Sequence, residues 1–253
     1  VNKNKHENYE LLNLIGYGLA KFGMEFVKKF DFHTKTAFYK HIVEINIAGT
    51  IGTVKNRQDL FDPFFDNGRK GWHQKGNTYL HRKILIDSLF GSLDVIQFSE
   101  MVKIYIESKF GDIEKQTVIS PVMRSRFKQL QLTGQEAELY FMNNYQSIEI
   151  FSFGTLDDAR LYGDGYDFQV QVSENYYLAE IKGVRESSGG IRLTKKEFLK
   201  ASEYQDKFGL VVVSNLSDSP KMTTIFDPVA NLELSKKIVS QDQTTYHSKF
   251  ISW

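Results

Sequence analysis

The sequence predicts an α/β (α+β) fold: a mixed central sheet flanked by helices, behind a mainly helical N-terminal part. Three observations carry this. Up to Phe110, apolar residues recur at helical spacing. Between Tyr166 and Lys182 they alternate instead, in two runs joined by the polar turn Ser173-Glu174-Asn175. From Thr133 onward the order reads helix, strand, strand, strand, helix, strand, strand, which suits a mixed sheet with helices on its faces.

The elements follow in order. Leu11, Leu12, Leu14, Ile15, Leu19, Phe22, Phe26 and Val27 form a broad stripe that predicts a helix from about Tyr9 to Phe30. Gly16, Gly18 and Gly23 weaken it, each interior glycine costing about 1 kcal/mol relative to alanine. Thr34 or Thr36 is placed to cap a second helix over Ala37 to Ile45. Ala48 to Thr53 reads as a small-residue passage, and Asp66 to Asn77 as a glycine-punctuated polar loop. Helices are expected over Arg82–Phe90 and Val95–Phe110, the latter with Phe98, Met101, Val102, Tyr105 and Ile106 as core.

The character of the chain changes at about residues 120 to 130. We therefore divide it into 1–125, a recognition or dimerisation region, and 126–253, a sheet-containing domain. Thr133 reads as the cap of a helix running to about Tyr145, with Glu136 in the capping-box position. A strand near Ile148–Phe153, the acidic loop Asp157-Asp158 and the hairpin follow. After a loop over Val184–Gly190, Thr194 opens a helix to about Phe208. Leu210–Val213 reads as a buried strand, and Thr223–Phe226 as another, stopped at Asp227-Pro228.

Composition narrows the function classes. The 253 residues carry a net charge of +1, so any polyanion partner must be met by local clusters. There is no cysteine, which excludes disulfides and thiolate chemistry. No apolar run spans a bilayer, and the first residues, Val-Asn-Lys-Asn-Lys-His-Glu-Asn, lack a signal peptide's apolar segment. These features predict a cytoplasmic protein with no membrane partner. No phosphate-binding loop, dinucleotide fingerprint or Ser-His-Asp set is present.

Two basic clusters stand out. Arg69, Lys70, Lys75 and Arg82 are interleaved with Trp72, His73 and Tyr79, a mixture suited to phosphates and stacked bases. A solvated loop with an inward tryptophan is the competing reading. The histidines show no close pair at metal-ligand spacing, so His73 and His81 read as loop or nucleic-acid contacts. Arg124 and Arg126 form the second cluster, on a linker, a solvated helix face or a phosphate-contacting element.

The hairpin carries the chemistry. Residues two apart on a strand share a face, so Glu180 and Lys182 project together. The register that satisfies both apolar sets adds Asp167. Two carboxylates supply hard oxygen ligands for Mg²⁺, and the lysine can hold a water or offset charge on a phosphoryl group. The alternative is an exposed Lys-Glu pair worth little. Asp164, between Gly163 and Gly165, reads as a turn former.

Asp167 followed by Glu180-Ile181-Lys182 resembles the Asp…Glu-X-Lys signature of the PD-(D/E)XK nuclease superfamily. With Gly163–Phe168, Gly183, Leu193-Thr194…Glu197 and Asp227-Pro228, residues 133 to 229 resemble the NO VEIN C-terminal domain family, regarded as a branch of that superfamily. Tyr166 stands where the signature's proline would precede the aspartate. The resemblance implies a restriction-endonuclease-like core, Asp167 and Glu180 as metal ligands, Lys182 as catalytic lysine and Glu138 as the first-helix acid. Glu136 competes with Glu138 but has the capping explanation, and Glu197 reads as structural.

The expected function is thus a Mg²⁺-dependent endodeoxyribonuclease, with Mn²⁺ as substitute, in restriction or phage defence. Its substrate would be double-stranded DNA, and a homodimer would cut both strands. The alternative is a catalytically inactive nuclease-fold subunit that binds nucleic acid or a defence complex.

Overall fold

The computed structural model describes residues 8–69, 78–110, 120–216 and 219–238. Helix α1 (Tyr9–Phe22) runs through the centre of the N-terminal part, and every residue from Tyr9 to Ala20 is buried. It packs on α2 (Met24–Lys28), α4 (Ile51–Phe61), α5 (Leu80–Phe90) and α6 (Val95–Phe110), while α3 (Lys35–Glu44) packs on α4. A helix in contact on all sides has no polar face to present, hence its run of Leu, Ile and Tyr. The glycines within it serve this packing. A Cβ at Gly16 would meet Arg57 Cγ of α4 at 2.6 Å, so alanine there would hold the two helices apart.

The first predicted helix divides at Gly23, which takes φ +58° and separates α1 from α2. Thr34 caps α3, accepting from the Ala37 amide at 3.1 Å. The small-residue passage conceals α4, whose cap is Thr50 accepting from Thr53 N at 3.1 Å. Helix α7 (Pro121–Gln131), which straddles the expected division at 125/126, gives Phe127 and Leu130 to the helical core. Phe127 stacks on Tyr105 at 4.4 Å.

The second part comprises α8 (Thr133–Asn144), β1 (Thr155–Asp158), β2 (Phe168–Val172), β3 (Asn175–Gly183), α9 (Lys195–Tyr204), β4 (Phe208–Ser214), β5 (Lys221–Phe226) and α10 (Pro228–Asn231). Its sheet has the order β1-β2-β3-β4-β5, mixed as expected. Neighbours are antiparallel except β3 and β4, a parallel pair linked by α9 as a crossover. Phe168, Val170, Ala179 and Ile181 face Ala137 and Phe141 of α8. Leu178 and Phe208 form a smaller core with Ala201 of α9 on the opposite face. The strand expected over Ile148–Phe153 is replaced by two 3-10 turns, Tyr145–Ser147 and Glu149–Phe151, and the first strand lies at Thr155–Asp158 instead. Helix α9 stops at Tyr204, and Phe208 opens β4.

The two parts are joined by buried charge. The capping box expected at Thr133 is not made: Thr133 is already helical and the N-cap is Leu132, without a side-chain bond. Glu136 instead turns inward, 2 % exposed, and accepts from the Tyr9 hydroxyl at 2.6 Å and from Arg82 Nε at 2.9 Å. The Tyr9 hydroxyl also lies 2.9 Å from the Leu216 carbonyl just beyond β4, and Arg82 Nη2 donates to that carbonyl. Arg185, after β3, pairs with Glu10 of α1 at 2.7 Å.

This corrects the reading of Arg82 and His81 as nucleic-acid contacts, since each is only 1 % exposed. Arg82 tolerates burial because Glu136 balances its charge and the Tyr79 ring lies 3.8 Å from its guanidinium. His81 sits edge-on to Tyr140, and burial pushes its pKa down. Its Nε2 is 3.3 Å from Glu136 Oε1. Burial alone would raise the Glu136 pKa, but His81 and the permanently charged Arg82 beside it hold the carboxyl at about 2.

Removing one partner of a buried ion pair strands the other, which typically costs about 3–5 kcal/mol. Arg82→Met and Glu136→Leu should each destabilise the protein by that order in urea denaturation, and the double variant by less than either. Glu136 titrates at about 2 in the fold against an ordinary 4.5. Its contribution is therefore complete above pH 4.5 and lost as pH falls from there through about 2. The stability gap between wild type and Glu136→Gln should close over that interval.

Candidate active site

The β2–β3 register pairs Phe168 with Ala179, and the Asp167 amide continues the ladder by donating to the Ala179 carbonyl at 3.0 Å. Asp167 and Glu180 are thereby cross-strand neighbours, with Lys182 two residues along the same face. This is the α9 face of the sheet. Asp167 Oδ2 accepts from the Ile181 amide at 2.8 Å, which folds the carboxylate against β3. Lys182 Nζ donates to Glu180 Oε1 at 2.6 Å and to Glu197 Oε2 at 2.8 Å.

Glu197 therefore does more than its sequence position suggests. It completes the capping box with Thr194 at the start of α9 and anchors Lys182 with the same carboxylate. Its pKa is lowered: burial would raise it, but Lys182 and the bonds from Thr194 together outweigh that. Gly165, at φ +91°, lets the preceding turn lie against α9, where a Cβ would meet the Lys196 carbonyl at 2.7 Å.

Glu138 enters from α8. It lies close enough for its charge to raise the Asp167 pKa, and it pairs with Arg160 at 2.7 Å. The approach of α8 to β3 depends on Gly183, where a Cβ would crowd the Thr133 carbonyl and sit 2.9 Å from Ala137 Cβ. Arg160, between β1 and β2, also pairs with Asp158 and lies over the Phe168 ring at 5.0 Å. Sequence reasoning passed over Arg160; the signal was a lone cation after Asp157-Asp158-Ala159 and before the glycine-rich turn.

The electrostatics are those of crowded acid. Burial raises the Glu180 carboxyl to about 8, the charge of Asp167 adds to that, and Lys182 opposes it. Burial likewise raises Asp167 to about 6 against the bond from Ile181 N, with Glu138 adding to the rise. Lys182 is raised as well: burial would lower it, but Glu180 and Glu197 hold its proton. The upward direction at Glu180 prevails over its ion pair because burial and the charges of Asp167 and Glu197 together outweigh Lys182. At neutral pH Lys182 is thus a firm cation and a poor base.

Among the described residues, no group of three or more His, Cys, Asp or Glu side chains is arranged to hold a metal ion. Within the site, each carboxylate is engaged by a bond from the protein: Asp167 by Ile181, Glu180 by Lys182 and Glu138 by Arg160. The donor set itself suits a hard divalent cation. Asp167 and Glu180 repel each other, and neither Asp167 Oδ1 nor Glu180 Oε2 takes a hydrogen bond among the described residues.

The other expected contacts lie apart. Arg69 pairs internally with Asp59 at 2.7 Å and lies 3.4 Å from Asp62. Arg124 is exposed on α7, and Arg126 is half-buried over the Phe90 ring. Lys70, Trp72, His73 and Lys75 lie outside the described residues. No described helix is long and apolar enough to cross a membrane.

Fold and site together define an α+β domain with a carboxylate–lysine cluster on one face of a mixed sheet. Residues 137–225 of it match the family model described as "Protein NO VEIN, C-terminal". The match runs from within α8 into β5 and encloses Glu138, Asp167, Glu180, Lys182 and Glu197; the helical part lies outside it. No curated protein and no solved structure gives a significant match.

Because Asp167 and Glu180 titrate at about 6 and about 8, the ion-free fold retains protons that the unfolded chain has released. Their contribution to stability is greatest below about pH 4 and is lost as pH rises through 6 and then 8. In urea denaturation with EDTA, Glu180→Gln should hold its stability from pH 5 to 8.5 relative to wild type; parallel profiles would contradict these shifts. Gly183→Ala should destabilise by about 1–3 kcal/mol, the usual range for an overpacked contact, read from the denaturation midpoint.

Proposed function

We propose that the protein is a metal-dependent DNA endonuclease of the PD-(D/E)XK type, acting in restriction or phage defence. The observation that carries this is the crowding of Asp167 and Glu180 at neighbouring strand positions with Lys182 beside them. Two repelling carboxylates, Glu180 buried and Asp167 half-buried, are a stability cost that a divalent cation would relieve, which gives the arrangement a purpose an ordinary ion pair lacks. The similarity of residues 137–225 to the NO VEIN C-terminal domain supports the same reading.

Asp167 and Glu180 would hold Mg²⁺ or Mn²⁺, with Glu138 as the third acid at hand. The bound ion supplies acidity to a water molecule and offsets charge on the phosphodiester. Lys182, kept protonated by Glu180 and Glu197, stabilises the extra negative charge of the transition state as a fixed donor. Glu197 keeps the ammonium aimed. Recognition of double-stranded DNA falls to surfaces other than Arg82 and Arg69, which the fold uses internally; Arg124 and Arg126 remain candidates. Cutting both strands calls for two copies of the site, hence a homodimer.

The test is incubation with supercoiled plasmid and mixed-sequence duplex in MgCl₂ or MnCl₂. Wild type should nick and linearise the plasmid. Asp167→Ala, Glu180→Ala and Lys182→Ala should each slow cleavage by about 10²-fold or more, the scale seen when one charge-stabilising donor is lost. Equal cutting by all four proteins, or by none in either metal, would sink the assignment. Salt-sensitive duplex binding in EDTA without cleavage would instead identify an inactive nuclease-fold binding subunit.

A further inference from the structure

We infer that Arg160 is a substrate-facing residue of this site, which holds Glu138 in the ion-free protein and passes to a phosphodiester oxygen when Glu138 engages a divalent cation. The inference rests on the nuclease reading for the substrate, but not for the exchange between Arg160 and the cation. Arg160 Nη1 donates to Glu138 Oε2 at 2.7 Å, and Nε donates to Asp158 Oδ1 at 2.8 Å. The Phe168 ring lies 5.0 Å from the guanidinium carbon. The cluster around it contains the carboxylates Glu138, Asp158, Asp167, Glu180 and Glu197, with Lys182 and Arg160 as the cations paired within it. Arg160 is thus the counter-ion that offsets part of the Glu138 charge, the remainder of which still raises Asp167.

A cation binding at Asp167 and Glu180 would compete for Glu138 and free one arm of a guanidinium still tethered to Asp158. That arm is a planar, permanently charged donor, the type of group that suits phosphate oxygens. The same turn presents Leu161 and Tyr162 to solvent, 97 % and 72 % exposed. Large apolar side chains that the fold leaves out, directly after this arginine, suit a nucleic-acid face where Tyr162 can stack on a base.

The experiment compares wild type, Arg160→Gln, Arg160→Lys and the double variant Arg160→Gln/Glu138→Gln. Mn²⁺ affinity is measured by calorimetry without DNA, and the affinity for a mixed-sequence duplex in CaCl₂ by fluorescence anisotropy. Arg160→Gln should bind Mn²⁺ several-fold tighter, and the double variant should lose that gain. Duplex affinity should fall roughly tenfold in Arg160→Gln, the scale of a lost charged hydrogen bond, with Arg160→Lys between. A lowered melting temperature with both affinities unchanged would make Arg160 a structural pin and overturn the proposal, as would Mn²⁺ binding to none of the proteins. Tighter Mn²⁺ binding by Arg160→Gln in a protein that cleaves nothing would uphold the exchange while the nuclease reading failed. Cleavage by wild type with Mn²⁺ affinity unmoved in the variant would do the reverse.

Discussion

The Arg82–Glu136 pair is the constraint on which the rest of the structure depends. Both groups are out of water, so each is tolerable only while the other is in place. Around them, Tyr9 of α1, Arg82 of α5, Glu136 of α8 and the Leu216 carbonyl after β4 meet at one point. That meeting fixes α8 between the helical part and the sheet. Because Glu138 lies on the same helix two residues on, and Gly183 lets that helix rest on β3, the position of an acid at the site is set from the far side of the molecule. The helical part is thus a mechanical support for the cluster as well as a surface of its own.

The cluster itself runs against stability. Burial and the charge of Asp167 raise the proton affinity of Glu180, burial and the charge of Glu138 raise that of Asp167, and the Lys182 ammonium is divided between Glu180 and Glu197. A fold selected for stability alone would place an apolar pair at these register positions, extending the small core that Leu178, Phe208 and Ala201 form on the same face. Local destabilisation held in place by a well-packed scaffold is the usual condition of a site that awaits a ligand.

Much of this was legible in the sequence. Strict alternation in the hairpin required Glu180 and Lys182 to share a face, and the apolar sets of the two strands left one register, which brought Asp167 with them. The helix Val95–Phe110 was equally plain from its period, and Thr194…Glu197 from its box. Other features were hidden for physical reasons. Helix α4 has few apolar residues and begins among Gly49, Thr50 and Gly52, so only its cap betrays it. Strand β1 is a short, mostly exposed edge reading Thr-Leu-Asp-Asp, which periodicity cannot separate from an acidic loop. Arg82 sits among lysines and arginines, and a sequence does not distinguish a cation in water from one sealed against a carboxylate 54 residues away. Glu136 had a sufficient local explanation in the capping box, and the long-range one prevailed. Arg160 was invisible as a site residue because its partners come from α8 and β1, elements whose meeting is tertiary.

The joint between the two parts also sets an order of events for a chain made from one end. Tyr9 and Leu216 are 207 residues apart, and Arg82 and Leu216 are 134 apart. As the polypeptide leaves the ribosome, α1 and α5 can collapse on their local neighbours, but Arg82 has no counter-charge until α8 follows. Its carbonyl partner arrives only after β4 has emerged. The joint that seals Arg82 is therefore complete only once almost the last strand of the sheet is in place, which ties the burial of an early helix to the end of the chain's described fold.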